Sequence, residues 1–185
     1  MVKRAFLIHG WEGYPEGGWR PWLRDRLREK GFEVIVPAMP DTEKPKMNAW
    51  LDFLIKTVGK PDKDCYFVGH SLGCITILRY LETLKKGEMV GGAVLVAGFS
   101  DNLGYKEIDS FFEKPIDWDR VNSHCKRFVA IHSDNDPYVP LKHGDIFKQN
   151  LKAEFILEHN MKHFSGDEGI TELPSAFESV LKISR

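Results

Sequence analysis

The sequence of 185 residues is poor in features that mark several protein classes. Its three cysteines, Cys65, Cys74 and Cys125, have spacings that fit neither a disulfide framework nor a zinc site. No apolar run approaches the roughly 20 residues that a membrane-spanning helix needs, and the longest resemble Ala93–Val96. Its 26 basic and 27 acidic residues leave a formal net charge of −1. Composition therefore does not favour binding to nucleic acid or to an anionic membrane.

Length and composition predict a single domain over residues 1–185. A chain of this size buries about 70% of its unfolded surface, so its core needs no metal or disulfide. Hydrophobic residues at 42% and charged residues at 29% are ordinary globular values. The basic start Met-Val-Lys-Arg precedes an apolar segment too short for a signal peptide. Together with the cysteine usage, this indicates a reducing compartment, and we expect a cytoplasmic protein.

Short apolar runs alternate along the chain with longer segments of helical spacing. Six runs predict buried strands: Ala5–Ile8, Phe32–Val36, Cys65–Val68, Ala93–Val96, Phe128–Ile131 and Phe155–Leu157. Five segments predict helices: Trp19–Lys30, Met47–Val58, Leu72–Lys85, Leu141–Leu151 and Ala176–Ile183. The alternation predicts an α/β fold, a three-layer α/β/α sandwich around a mostly parallel six-stranded sheet. In such folds the ligand binds beyond the carboxyl ends of the strands.

The motif Gly69-His70-Ser71-Leu72-Gly73 stands between a predicted strand and a predicted helix. This context is typical of a nucleophile elbow, in which a sharp turn presents a serine hydroxyl at the edge of the sheet. Glycines leave room for the turn because they lack a Cβ, and a helix N-terminus favours developing negative charge. We therefore predict that Ser71 is a nucleophile and that His70 contacts its substrate. The alternative is an ordinary glycine-rich turn.

A serine hydroxyl is a weak nucleophile and needs a base that is held by an acid. Two acids, Asp134 and Asp136, follow the predicted strand that ends at Ile131, and two histidines, His159 and His163, follow the last strand. Asp134 could instead cap its own loop, which is a common role of Asp in turns. The spacing of the two histidines also resembles a metal site, but no nearby Glu or Cys completes it. We predict no metal and no cofactor.

Acyl transfer also requires N–H donors for the negatively charged oxygen of the intermediate. The backbone N–H of Leu72, which follows the predicted nucleophile, is one candidate. The N–H of Trp11, in the loop after the first strand, is the other. We predict that His9 and Gly10 of the same loop contact the substrate, although these two residues could simply form a turn at the strand end.

Aromatic residues concentrate in two segments beside the predicted site. The connection 98–126, where larger enzymes insert a lid, carries Phe99, Tyr105, Phe111, Phe112 and Trp118. These rings either pack the flank of the domain or line an acyl or aryl pocket, and Phe112 and Trp118 are the predicted substrate contacts. The second group, which could line the opposite wall or pack against a helix, is Trp11, Tyr14 and Trp19.

Taken in chain order, these motifs resemble the α/β-hydrolase superfamily: His9-Gly10-Trp11, Gly69–Gly73, Asp136–Pro140 and His163. More narrowly, the compact chain resembles the small lidless serine hydrolases grouped with retinoblastoma-binding protein nine and the bacterial YdeN-like proteins. Two further elements carry this likeness, Met39-Pro40-Asp41 with Trp50-Leu51-x-Phe53, and Phe111-Phe112-x-x-Pro115-x-x-Trp118-x-x-Val121. The resemblance implies a compact hydrolase fold without a large lid and a catalytic set of Ser71, Asp136 and His163.

The motif order and the resemblance predict a serine hydrolase that cleaves small carboxylic esters, or thioesters or amides, through an acyl-enzyme on Ser71. One alternative is an acyltransferase that uses the same triad. The other is a protein-binding module with weak or vestigial activity. The predicted partner is a small-molecule acyl substrate, and no motif establishes a protein partner. The near-zero net charge argues against capture of a strongly charged substrate, unless a charged group lies locally in the site.

Overall fold

A computed structural model describes residues 2–185 and centres on a six-stranded sheet. The strands stand in the order β2-β1-β3-β4-β5-β6, and every neighbouring pair is parallel. Their bounds are β1 Arg4–Ile8, β2 Glu33–Ile35, β3 Cys65–His70, β4 Gly92–Val96, β5 Phe128–Ser133 and β6 Glu154–Glu158. From β1 the chain adds β2 on one side of the sheet and β3 to β6 on the other, so the strand order reverses between β1 and β3. In parallel sheets such a reversal opens a crevice at the carboxyl ends of the two strands.

Helices cover both faces of the sheet. Their bounds are α1 Arg20–Glu29, α2 Met47–Val58, α3 Leu72–Thr83, α4 Trp118–His124, α5 Lys142–Leu151 and α6 Pro174–Ile183. Helices α1 and α6 pack on one face, and α2 to α5 pack on the other. Two short 3-10 helices, Lys106–Phe111 and Gly166–Glu168, lie in loops. The result is a three-layer α/β/α sandwich.

Alternate residues of each central strand supply two separate cores. In β3, Phe67 packs with the layer of α2 to α5, whereas Tyr66 and Val68 pack with the layer of α1 and α6. All six residues of this strand are buried. A parallel strand that is covered on both faces has no polar side, and this explains why the strands appear in the sequence as continuous apolar runs.

The predicted fold class is confirmed, and the sheet is fully parallel rather than mostly so. Helix α2 has its predicted bounds, while α3 ends at Thr83 instead of Lys85. The sequence analysis missed α4, which is short and has few apolar residues to show a helical period. Asp117 begins this helix by accepting a hydrogen bond from the Arg120 N–H at 3.0 Å.

The connection between β4 and β5 occupies the position of a lid. It holds the first 3-10 helix, which packs against α2 and α3, and α4, which packs against α3 and α5. Within residues 2–185, no helix has both the length and the apolar character that crossing a membrane requires.

Candidate active site

Ser71 lies in the sharp turn between β3 and α3. Its backbone has φ 55° and ψ −121°, a conformation that L-residues rarely adopt and that costs about 1–3 kcal/mol. The Ser71 N–H donates to the Val96 carbonyl at 2.9 Å, so the end of β4 holds the turn in place. The strained turn predicted from the motif is present, and it presents the hydroxyl beyond the sheet.

Glycines allow three backbone segments to meet at this turn. A Cβ on Gly73 would lie 2.3 Å from the Ile8 carbonyl oxygen, so α3 begins directly against the end of β1. A Cβ on Gly10 would lie 2.9 Å from the Ser71 Cβ, which brings the loop after β1 against the serine. Both glycines are therefore required by close approach of main chain or of the serine side chain.

A chain of hydrogen bonds links Ser71, His163 and Asp136. The Ser71 Oγ lies 2.9 Å from His163 Nε2, and His163 Nδ1 lies 2.8 Å from Asp136 Oδ2. The side chains of His163 and Asp136 are only 13% and 2% exposed. Because the carboxylate accepts from Nδ1–H, the imidazole presents Nε2 as the acceptor of the serine proton. The structure thus brings together the three residues that the sequence analysis placed in one catalytic set.

The Asp136 carboxylate is fixed by its own loop. Its second oxygen, Oδ1, accepts the backbone N–H groups of Tyr138 and Val139 at 2.9 and 3.0 Å. These two bonds leave Oδ2 to face the imidazole. The ring of Tyr138 meets the His163 ring edge-on at 5.3 Å and covers it from outside.

The loop that carries His163 is held by residues to which the sequence analysis did not assign this role. The Glu168 carboxylate accepts the N–H groups of His163 and Ser165 at 2.9 and 3.1 Å. The Trp19 indole N–H donates to the Phe164 carbonyl at 3.0 Å. Ser165 and Glu168 form a capping box, and the Ser-x-x-Glu spacing was a sequence signal for it.

His70 is buried beside His163 and also lines the cavity in front of Ser71. Burial lowers the pKa of His70 well below its ordinary value, so its ring is neutral. His70 Nε2 lies 2.7 Å from the carbonyl oxygen of His163 and donates to it. His70 therefore fixes the backbone of the base in addition to forming part of the cavity wall.

The structure gives His9 a different place from the predicted one. Its side chain is 0% exposed and does not line the cavity, whereas Gly10 does. The Met39 N–H donates to His9 Nε2 at 3.1 Å, and His9 Nδ1 donates to the Gly10 carbonyl at 2.9 Å. Burial lowers the pKa of His9, which keeps the ring neutral. His9 holds the loop after β1 and presents no surface to the cavity.

Asp134 and His159, the other candidates for the acid and the base, form a pair with each other. Asp134 Oδ2 lies 2.6 Å from His159 Nδ1, and Asp134 Oδ1 accepts the Asn160 N–H at 2.9 Å. Their side chains are 36% and 70% exposed. This pair fixes the end of β6 at the surface, away from Ser71. In residues 2–185, no group of three His, Cys, Asp or Glu side chains is arranged to hold a metal ion.

A cavity of about 490 Å³ opens in front of Ser71. One part of its lining is aromatic and aliphatic, with Trp11, Tyr14, Phe99, Leu103, Tyr105, Ile108 and Tyr138 around Leu72, and the rest is glycine or polar. Tyr14, Tyr105 and Tyr138 are exposed at the mouth. The Trp11 ring meets the Tyr105 ring edge-on at 5.8 Å, so the loop after β1 contacts the β4–β5 connection.

Phe112 and Trp118, the predicted substrate contacts, do not line this cavity. Phe112 packs on Phe99 at 5.8 Å between ring centroids, and Trp118 packs on Phe147 at 6.2 Å. Both rings turn inward to the α2 to α5 layer, because only one side of the connection faces the cavity. That prediction was therefore wrong for these two rings, and Phe99 and Tyr105 take the position.

Trp11 and Leu72, the predicted oxyanion donors, both line the cavity. Within residues 2–185, neither of these two backbone N–H groups donates to a carbonyl in a turn, loop or helix cap. The Trp11 indole N–H donates to the Glu43 carbonyl at 3.1 Å, and the Glu12 N–H donates to the Thr42 carbonyl at 3.0 Å. These two bonds hold the loop after β1, which carries Trp11, from outside the cavity.

Arg20 is a charged residue of the cavity that the sequence analysis missed. It is only 6% exposed, and its Nε donates to the Tyr14 carbonyl at 3.2 Å. Burial lowers the pKa of Arg20 to about 10, which leaves the side chain cationic at neutral pH. No local sequence signal marked it, because Arg20 stands in a helix with several other arginines.

The serine hydrolase family model matches residues 5–182 of this chain. YdeN of Bacillus subtilis, which is named as a hydrolase, is 32% identical over 179 residues, covering 96% of this chain and 94% of that protein. The serine hydrolase RBBP9 of Rattus norvegicus is 28% identical over 154 residues, covering 82% of this chain and 80% of its own.

Solved structures of hydrolases share the fold of this chain. The crystal structure of the B. subtilis ydeN product superimposes with a TM-score of 0.94 at 31% identity, covering 98% of each chain. A carboxylesterase from the thaumarchaeon Nitrososphaera gargenis shares the fold, with a TM-score of 0.69 at 15% identity over 98% of this chain and 89% of its own. The chain has the α/β-hydrolase fold and belongs to the serine hydrolase family.

Proposed function

We propose that this serine hydrolase cleaves small carboxylic esters, with thioesters and amides as further substrates, through an acyl-enzyme on Ser71. The observation that supports this most is the chain of hydrogen bonds from Ser71 through His163 to Asp136, at 2.9 and 2.8 Å. Ser71, where this chain begins, is held in a strained turn and lines a cavity. A nucleophile, a base and an orienting acid in this order are the parts that acyl transfer needs.

The proposed reaction has two halves. The Ser71 Oγ attacks the substrate carbonyl carbon while His163 Nε2 takes the serine proton, and the backbone N–H groups of Leu72 and Trp11 stabilise the oxyanion. His163 then donates this proton to the leaving group, and the acyl group remains on Ser71 as an ester. A water molecule repeats the sequence, with His163 again as the base, and releases the acid. Asp136 holds the imidazole tautomer and stabilises the imidazolium in both halves.

The cavity supports a small-molecule acyl substrate. Its volume of about 490 Å³ is within the range of roughly 300–1,000 Å³ that is typical of small-molecule sites. The aromatic mouth favours acyl or leaving groups with apolar or aryl surface. We also propose a reducing compartment, the cytoplasm, since the thiols of Cys65, Cys74 and Cys125 are all unpaired and buried.

Labelling with a fluorophosphonate probe tests the proposed nucleophile. We expect the wild-type protein to be labelled and the Ser71→Ala variant to be unlabelled. Ser123→Ala is the matched control, because the Ser123 hydroxyl donates to the Arg120 carbonyl in α4 and does not line the cavity. Equal labelling of wild type and Ser71→Ala would contradict the proposal.

A kinetic panel of para-nitrophenyl esters, thioesters and aminoacyl amides then ranks the substrates, with Ser71→Ala as the blank. Product analysis in the presence of added alcohols separates hydrolysis from acyl transfer, since both use the same acyl-enzyme. Absence of labelling and of turnover in the wild-type protein would favour the protein-binding alternative.

A further inference from the structure

Arg20 occupies the wall of the same cavity that contains Ser71. The side chain is 6% exposed, and its Nη2 lies 2.6 Å from the position that a Cβ on Gly17 would take. Gly17 lines the cavity as well. The absence of a side chain at Gly17 thus leaves the guanidinium its place in the wall.

The Arg20 guanidinium has almost no partner within the described chain. Nε donates to the Tyr14 carbonyl, but Nη1 and Nη2 donate no intramolecular hydrogen bond in residues 2–185. Its neighbours His9 and His70 are neutral, and the Trp19 ring, 5.9 Å from the guanidinium carbon, offers a π face but no negative charge. Burying a cation without a counter-ion is costly, so arginines are almost never buried without a partner.

The other arginines of α1 show the contrast. Arg24 pairs with Glu16 and Asp25, Arg26 pairs with Glu29, and Arg28 lies 3.9 Å from Asp25, in every case at the surface. Arg20 alone among these lies inside, and it makes no ion pair with any carboxylate in residues 2–185. The buried arginine is therefore the one whose anionic partner the chain does not supply.

Three acids line the same cavity without neutralising Arg20. The Glu168 carboxylate already accepts the N–H groups of His163 and Ser165. Glu12 and Asp167 are exposed at the rim, where solvent and salt screen their charges. Arg20 is thus a buried positive charge in the cavity wall that none of these three carboxylates pairs with, although the net charge of the chain is −1.

We propose that Arg20 is a specificity-determining residue that binds a carboxylate carried by the substrate, so that the preferred substrates are esters with a second, anionic carboxylate. This rests on the proposed esterase function and names its substrate class. A guanidinium donates two parallel hydrogen bonds to a carboxylate, with Nη1 and Nη2 as the free donors here. Such binding also fixes the orientation of the ester relative to Ser71.

Matched substrates test the proposal. The ratio of kcat/KM is measured for the para-nitrophenyl monoester of glutaric acid and for its neutral primary amide, which has the same shape. A second pair places the carboxylate, or its amide, on the leaving group. We expect the wild-type protein to favour the carboxylate in at least one pair by about tenfold or more, since hydrogen bonds to charged groups are strong.

Variants then assign this preference to Arg20. We expect Arg20→Gln to bring the ratio near one and Arg20→Lys to restore part of it. Gly17→Ala, which displaces Nη2 without removing the charge, should also lower the ratio. Arg26→Gln removes the same charge from the outer surface of α1 and should keep the wild-type ratio. A ratio is independent of how much of each variant is folded.

Three outcomes would overturn the proposal. They are a wild-type ratio near one in both pairs, an Arg20→Gln ratio equal to that of wild type, and a higher kcat/KM for a matched ester with an ammonium group than for the carboxylate ester, which would assign specificity to Glu12 and Asp167 instead.

A binding measurement distinguishes this failure from failure of the esterase function. Titration calorimetry with glutarate on Ser71→Ala, alone and combined with Arg20→Gln, needs no turnover. We expect binding that weakens about tenfold or more when Arg20 is replaced. Equal binding, or none to Ser71→Ala, would overturn the role of Arg20 even if the neutral esters are hydrolysed. The fluorophosphonate result decides the esterase function separately.

Discussion

Replacing Asp136 with Asn removes one charge and almost no volume. In the wild-type structure Oδ1 accepts the N–H groups of Tyr138 and Val139, and Oδ2 accepts from His163 Nδ1. An Asn amide must place its oxygen toward the two backbone donors, because its NH2 group would otherwise oppose them. The NH2 group then faces His163 Nδ1 and donates to it. The imidazole is forced into the tautomer with its proton on Nε2.

The expected loss of activity is large because this tautomer cannot act as a base. His163 Nε2, 2.9 Å from the Ser71 Oγ, would become a donor toward a hydroxyl that must lose its own proton. The same substitution in the reference serine protease triad lowers kcat by about 10⁴-fold. That factor corresponds to about 5.5 kcal/mol in the activation free energy. We expect a loss in kcat of this order, with a smaller change in KM.

Asp134→Asn is the matched control two residues away. Asp134 contacts exposed His159 at 2.6 Å, and exposed ion pairs of this kind contribute little to stability. We expect its kcat to stay near wild type. Steady-state hydrolysis of para-nitrophenyl acetate measures both variants, and circular dichroism with urea unfolding shows that each is folded.

Comparable losses in Asp136→Asn and Asp134→Asn would refute this reasoning. So would an Asp136→Asn variant that keeps more than about a tenth of the wild-type kcat, because the wrong tautomer would then carry no penalty.

Two further predictions concern stability. Gly73→Ala places a Cβ 2.3 Å from the Ile8 carbonyl oxygen, so we expect about 3 kcal/mol of destabilisation in urea unfolding; an unchanged midpoint would show that α3 can move away. His132 is buried between Phe147 and Phe155, and burial lowers its pKa from 6.5 to about 4. The unfolded chain therefore takes up a proton below about pH 6.5 that the folded chain does not. Stability contributed by the neutral ring is full above that pH and falls as the pH drops toward the folded pKa. Between pH 7 and pH 5, the free energy of unfolding of His132→Leu should fall by about 2 kcal/mol less than that of wild type. Equal decreases in the two proteins would contradict this assignment.

The sequence by itself determined the elements and the nucleophile turn. A strand that is covered on both faces needs an apolar side chain at every position. Runs such as Cys65–Val68 show this pattern in consecutive residues, so the sequence alone predicts the strand. The glycines around Ser71 indicate a strained turn for an equally local reason. Helix α4 escaped because seven residues with few apolar positions carry too little periodicity.

Only the tertiary structure decided which polar groups meet. Asp136 lies 27 residues from His163, and His163 lies 92 residues from Ser71, so their pairing depends on how three loops pack at the end of the sheet. The sequence showed two acids and two histidines with similar placement, and the fold puts one pair inside and the other at the surface.

The same holds for the lining of the cavity. The sequence showed aromatic residues in the β4–β5 connection, but not that Phe112 faces the helices while Phe99 faces the cavity. It also showed a near-neutral charge, which concealed Arg20. Burial separates this one cation from the acids that balance it in the total, and burial is a property of packing that charge counts do not contain.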